Sequence, residues 1–170
     1  GMRLMMDLVV NHTSDEHDWF RSSRSSKDDP KRDWYIWRPA RQVPGLEPGQ
    51  PGTEPTNWGS FFSGSTWAWD EGSGEFYLHL FSTKQPDLNW ENENVRRAIY
   101  EMMGRWLDRG VDGFRMDVIN FISKTYPLAD GLKRDGDLYG DGASLVVNGP
   151  RIHEFLHEMN ETVFAPRTEH

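Results

Sequence analysis

Residues 3–10, RLMMDLVV, constrain the fold more than any other segment. They form a near-continuous apolar run ending in β-branched residues and broken only by Asp7. Such runs suit parallel strands covered on both faces, whereas a strand with one wet face alternates. A lone acid in such a strand needs a partner or a chemical task. Arg3 precedes the run, but Asp7 interrupts it and no small-residue cleavage site follows, so it reads as a strand and not as a signal peptide. A second short strand is expected over 112–118. There Phe114, Met116 and Val118 share one face, and Gly113, Arg115 and Asp117 share the other.

The clearest helix is predicted over 95–107. Val95, Ala98, Ile99, Met102, Met103, Trp106 and Leu107 recur at helical spacing, with Asn92 or Asn94 to cap the start and Gly110 at the C′ position. A second amphipathic helix is expected from Pro150 to about Val163, with Ile152, Phe155, Leu156, Met159 and Val163 as its stripe. Between the first strand and first helix lies a polar, punctuated stretch. Six of the ten prolines fall between Pro30 and Pro55, and Trp19, Trp34, Trp37, Trp58, Trp67, Trp69 and Trp90 all lie there. A structureless loop of that length is improbable on its face. The aromatics point instead to a small subdomain with its own satellite core, to which residues 75–81 could supply a strand. The charged stretch 24–32 is expected to be a solvated loop.

Apart from the insertion, the order is βαβα, which implies a parallel sheet of the α/β class. Two βα units neither close a barrel nor make a stable open sheet, so the chain is expected to be a piece of something larger. Composition narrows the function. With 19 Lys+Arg against 27 Asp+Glu and a net charge of −8, it is a poor ligand for nucleic acid or an anionic membrane. No apolar run is long enough to span a bilayer. The absence of cysteine excludes disulfides, cysteine zinc sites and thiolate catalysis, and fits a cytosolic setting. The hydrophobic fraction of 36% with eight Trp suits a surface that stacks flat polar ligands such as sugars.

Two constellations could carry chemistry. Arg115 and Asp117 share one strand face, and an arginine beside an aspartate favours the ionised carboxylate. An ionised carboxylate at the end of a strand can act as a nucleophile. Spacing alone leaves a structural ion pair equally open. Asp7, Asn11 and His12 follow at the end of the first strand; Asp7 and His12 converge only if that strand has ended by Asn11. His153-Glu154-Phe155-Leu156-His157 matches the zinc-protease pattern H-E-x-x-H, but no third ligand has a convincing spacing, and the two histidines read as the wet side of a helix. The segment 135–141 departs from a calcium loop at its fifth and twelfth positions and reads as a solvated turn.

Asp7-Leu-Val-Val-Asn11-His12 and Gly113-Phe-Arg115-Met-Asp117-Val118 resemble two ordered regions of glycoside hydrolase family 13, the α-amylase superfamily. Between them, Gln85-Pro-Asp87-Leu-Asn89-Trp90 resembles that family's extra motif, in the form found in the oligo-1,6-glucosidase group. Residues 57–64 and 148–153 also resemble that group. The resemblance implies a partial (β/α)8 TIM barrel with an inserted irregular domain B. It assigns 1–11 to barrel strand three, 12–94 to domain B, and 95–170 to helix three, strand four and helix four.

It also implies roles. Asp117 matches the nucleophile that forms a covalent glucosyl intermediate, and Arg115 the arginine that holds it ionised. His12 matches a sugar-binding histidine, and Asp7 a carboxylate near the arginine. Phe62, Phe81 and Gln85 sit where relatives line the pocket. Val118 resembles the residue found in enzymes that prefer α-1,6 links. Asn11 matches a calcium-binding asparagine of true α-amylases, an ion that glucosidase-like members usually lack, so no metal or cofactor is expected. The family's acid/base glutamate belongs to the next strand, and Glu169 is not assigned to it. The implied partner is a small oligosaccharide. Alternatives are a sucrose isomerase or trehalose synthase of the same family, a non-catalytic amylase-like domain, and a zinc peptidase.

Overall fold

The computed structural model describes residues 1–167, so Glu169 lies outside the described residues. In chain order the elements are β1 (Met5–Val9), α1 (Asp18–Ser25), β2 (Trp37–Arg38), β3 (Trp67–Asp70), β4 (Glu75–Leu78), α2 (Glu93–Asp108), β5 (Gly113–Asp117), α3 (Ala143–Val146) and α4 (Ile152–Met159). β1 and β5 pair in parallel, with Asp7 opposite Arg115 and Val9 opposite Asp117. A separate antiparallel sheet, ordered β2-β4-β3, is built within the insertion. Among the described residues no helix is long and apolar enough to cross a membrane.

α2 forms where its periodicity places it. The Asn92 side chain accepts from the Asn94 N–H, and the chain leaves through Gly110 at φ 99°. That positive φ costs glycine nothing. Val95, Ile99 and Met103 face inward against Leu8 and Val10, and Phe114 and Met116 pack on the same core. The α4 stripe also holds, with Ile152, Phe155, Met159 and Val163 buried. However, the α-helix stops at Met159 and continues through a wider π-type turn, Asn160–Phe164. That turn keeps Val163 on the core. His153 and His157 are exposed, as the wet-face reading expects.

The insertion's tryptophans are packing residues, whereas Trp106 on α2 is exposed. Trp58, Trp67 and Trp90 are buried, and each indole N–H finds an acceptor: Ala129 O, Thr56 Oγ1 and Val10 O respectively. A buried indole needs such a partner. Trp58 and Trp67 belong to a second core with Ile36, Phe76, Leu78, Leu80 and Val146. Phe20, Trp37 and Trp90, in contrast, join the core of α2 and α4. The insertion therefore packs into the βαβα elements as well as into itself.

Three expectations need correction. β1 is covered on one face only: Leu8 is buried, but Met5 and Val9 are exposed, because two paired strands leave their other face without a layer. The second strand ends at Asp117, because Val118 adopts a left-handed conformation (φ 42°, ψ 33°) and leaves the apolar face of Phe114 and Met116. The charged stretch 24–32 is not simply solvated. Arg24 meets the buried carboxylate of Asp70 at 2.5 Å. Arg32 is itself buried, 2.5 Å from Glu75, with its guanidinium 3.7 Å from the centre of the Trp37 ring. Planar stacking and a matched carboxylate allow an arginine to be buried.

Candidate active site

The parallel register assembles the first charged group. Asp7, Arg115 and Asp117 project from the same side of the strand pair. Arg115 Nη1 donates to Asp7 at 3.0 Å and 3.3 Å and lies 2.6 Å from Asp117 Oδ1. Hydrogen bonding to Asp7, followed by the charges of Asp117 and Asp7, pushes the arginine further toward its charged form. One nitrogen thus serves two carboxylates, and Asp117 stands at the C-terminal end of β5. Immediately beyond it, Val118 occupies a backbone region that costs a β-branched residue of order 1–3 kcal/mol.

The second group forms where the two ends of the insertion meet. Leu88 N–H donates to Asn11 O at 2.8 Å, Thr13 N–H donates to Pro86 O at 3.2 Å, and His12 pairs with Asp87 in a single antiparallel bridge. Because β1 ends at Val9, His12 is turned toward the β5 end, where the charges acting on it are Asp87, Asp117 and Lys124. Gln85 Oε1 accepts from the Ser82 N–H, which fixes the amide and leaves Gln85 Nε2 as a donor 3.0 Å from His12 Nε2. The Asn11 amide nitrogen lies 3.4 Å from His12 Nδ1, so each ring nitrogen faces an amide donor. Burial lowers the pKa of His12, against the raising effects of Asp87 and Asp117. Burial thus favours the uncharged form of the imidazole.

Behind His12 lies a fully buried ion pair. Lys124 Nζ is 2.7 Å from Asp87 Oδ2 and donates to Asn11 Oδ1 at 3.0 Å; the two charged side chains are 2% and 0% exposed. Asn11 Nδ2 also donates to Asp87, whose other oxygen accepts from the Leu80 N–H. The Asn11 oxygen is taken by an ammonium of the chain itself. No group of three metal-ligating side chains occurs among the described residues.

Aromatic rings form the wall beside His12. Phe81 tilts against the imidazole at 5.6 Å and meets exposed Phe62 at 5.6 Å, and Phe61 and Phe121 complete the cluster. The expected residues thus fall into a charged group (Asp7, Arg115, Asp117, with Val118 adjacent) and a second group around His12 (His12, Gln85, Phe81, Phe62). Asp87, Lys124, Phe61 and Phe121 were not singled out from the sequence as site residues. Asp87 stands inside a quoted motif and could have been. Lys124 and Phe121 carry no local signal.

Parallel strands bearing an arginine-matched carboxylate at their C-terminal end, beside aromatic rings delivered by an insertion, fit part of a (β/α)8 barrel. The chain belongs to the α-amylase family: the family model "Alpha amylase, catalytic domain" matches residues 1–170. It is 62% identical over 165 residues to an oligo-1,6-glucosidase of Parageobacillus thermoglucosidasius, covering 97% of this chain and 28% of that one. The crystal structure of Bacillus licheniformis trehalose-6-phosphate hydrolase superposes with a TM-score of 0.84 at 49% identity, over 97% of this chain and 27% of that one. An isomaltulose synthase variant of Erwinia rhapontici NX5 in complex with D-glucose superposes with a TM-score of 0.82 at 42% identity, over 97% and 27%. The chain thus spans little more than a quarter of the length of these relatives.

Two predictions follow from the buried groups. Lys124→Met leaves Asp87 buried without its counter-charge, and should cost about 3–5 kcal/mol in denaturant unfolding. Lys124→Met combined with Asp87→Leu should recover part of that loss; equal loss in both variants would contradict the pairing. The second prediction concerns pH. Burial also lowers the pKa of His79, against its hydrogen bond to Phe81 O, and its Nε2 has no partner. Both His12 and His79 have folded pKa values below the unfolded 6.5. The stability they contribute is full above pH 6.5 and is lost as pH falls through the lowered folded values. The urea midpoint should decline below that pH, and less steeply in His79→Phe.

Proposed function

We propose that this chain is part of a retaining α-glucosidase that hydrolyses short α-glucosides, with isomaltose-type α-1,6 links preferred. The observation that carries the reading is the register-imposed cluster of Asp7, Arg115 and Asp117 at the strand ends. The division into 1–11 as barrel strand three, 12–94 as domain B, and 95–170 as the following helix, strand and helix belongs to the same reading. So does a cytosolic location, with which the absence of cysteine agrees.

In this mechanism an Asp117 oxygen attacks the anomeric carbon while the glycosidic C–O bond breaks. The leaving oxygen takes a proton from a carboxylic acid about 5–5.5 Å from the nucleophile. We assign that acid to a glutamate on the next barrel strand, outside residues 1–170, so these residues alone are expected to show no turnover. Water then gives a proton back to that glutamate, now a carboxylate, and attacks the same carbon as Asp117 departs, so configuration is retained. Arg115 orients the nucleophile and Asp7 orients Arg115. His12 offers Nε2 to a sugar hydroxyl in exchange for Gln85, and Phe62 and Phe81 provide apolar ring faces.

The charges favour an unphosphorylated substrate. Arg115 is matched by two carboxylates, Lys124 by Asp87, and Lys84, beside Gln85, by Asp15 and Glu16. The likeness to isomaltulose synthase supports a second reading, isomerisation of a disaccharide through the same glucosyl-enzyme. Chromatography of the products formed from isomaltose and from sucrose separates the two.

In the full-length enzyme Asp117→Ala should lower kcat on p-nitrophenyl α-glucoside by roughly 10⁴-fold or more; near wild-type turnover would refute the assignment. Val118→Ala or Thr should shift the ratio of kcat/KM values from isomaltose toward maltose by about tenfold, the scale of a methyl-sized change in a pocket. An unchanged ratio would remove Val118 as the linkage determinant.

A further inference from the structure

The turn after β5 links the nucleophile's strand to the pocket wall. Left-handed Val118 opens a single 3-10 turn, Ile119–Phe121, closed by the Phe121 N–H donating to Val118 O at 3.0 Å. A β-branched residue is an expensive choice for that conformation. Its consequence is the placement of Phe121, which leaves the β5 side and enters the insertion's aromatic cluster. Phe121 lies edge-on to Phe61 (5.0 Å, 81°) and to Phe81 (5.4 Å, 71°). Phe81 in turn rests on His12 (5.6 Å, 57°) and on Phe62 (5.6 Å, 61°). Phe61, Phe62 and Phe81 all belong to the insertion, and Phe121 is four residues from Asp117 in sequence.

A wall built only from the insertion could shift relative to the nucleophile. Phe121 supplies a rigid reference, because a short turn connects it to Asp117 and two edge-to-face contacts connect it to the wall. Each such contact adds modestly beyond area burial, so two set a preferred geometry. We propose that Phe121 is a positioning residue for sugar binding: it holds Phe81 against His12 and thereby fixes the distance between pocket wall and nucleophile. This rests on the glucosidase reading above. Phe81 contacts the sugar in ground and transition states alike, so loosening it raises KM more than it lowers kcat.

The test uses the full-length enzyme. Phe121→Leu keeps most of the volume and serves if Phe121→Ala does not fold. The expected result is a rise in KM for isomaltose of about tenfold, with kcat changed by less than about threefold. In a Phe81→Ala background the same substitution should have almost no further effect on KM, since the ring it positions is gone. Equal effects in both backgrounds, or an unchanged KM in a folded variant, would overturn the proposal. A second readout does not need turnover: the ring-current-shifted His12 imidazole proton resonance should move in Phe121→Leu, and an unmoved resonance also overturns it. A wild-type enzyme inactive on every α-glucoside would instead refute the glucosidase reading and leave the resonance to judge Phe121.

Discussion

The buried pair of Lys124 and Asp87 is the constraint on which the site's geometry depends. It joins three segments distant in sequence: the exit from β1 at Asn11, the return of the insertion at Asp87, and the loop beyond β5 at Lys124. Burying two charges costs several kcal/mol per ion, and mutual attraction repays it only when the remaining polar atoms are also satisfied. Here the Asp87 oxygens receive Lys124, Asn11 and the Leu80 N–H, and Lys124 also donates to Asn11. The arrangement contributes little net stability against an apolar substitute. It does specify a single geometry, since a shift of any one segment strands a charge. His12 is adjacent to Asn11 and Gln85 is two residues before Asp87, so both inherit that geometry.

Much of the framework was legible because it is local. The α2 stripe, the Asn92 cap, the Gly110 exit and the two strands follow from periodicity and turn chemistry over a few residues. What failed was long-range. Arg32 sits in a charged, proline-flanked stretch, and its burial depends on Trp37 and Glu75, the latter 43 positions away. Lys124 looks like an ordinary surface lysine until Asp87 and Asn11 are brought to it. Asp7 was expected to need a partner, but only the register that sets it opposite Arg115 supplies one. Val118 shows the same limit: its alternation with Phe114 and Met116 suggested a strand residue, and the need to turn the chain after Asp117 overrode that pattern.

The two charge clusters are of different kinds, and burial distinguishes them. Lys124 and Asp87 are sealed in the interior, where electrostatics is strong and a lost partner is costly. Arg115 and Asp7 are 61% and 60% exposed among the described residues, and Asp117 is 31% exposed. Ion pairs in such surroundings contribute little, so the fold gains little from placing two carboxylates on one guanidinium. What the cluster provides is orientation. Asp7 holds Arg115 from one side, so the same nitrogen approaches Asp117 along a fixed line, and Asp117 keeps its second oxygen for another task. In the glucosidase reading proposed above, that oxygen is the one assigned to attack the anomeric carbon.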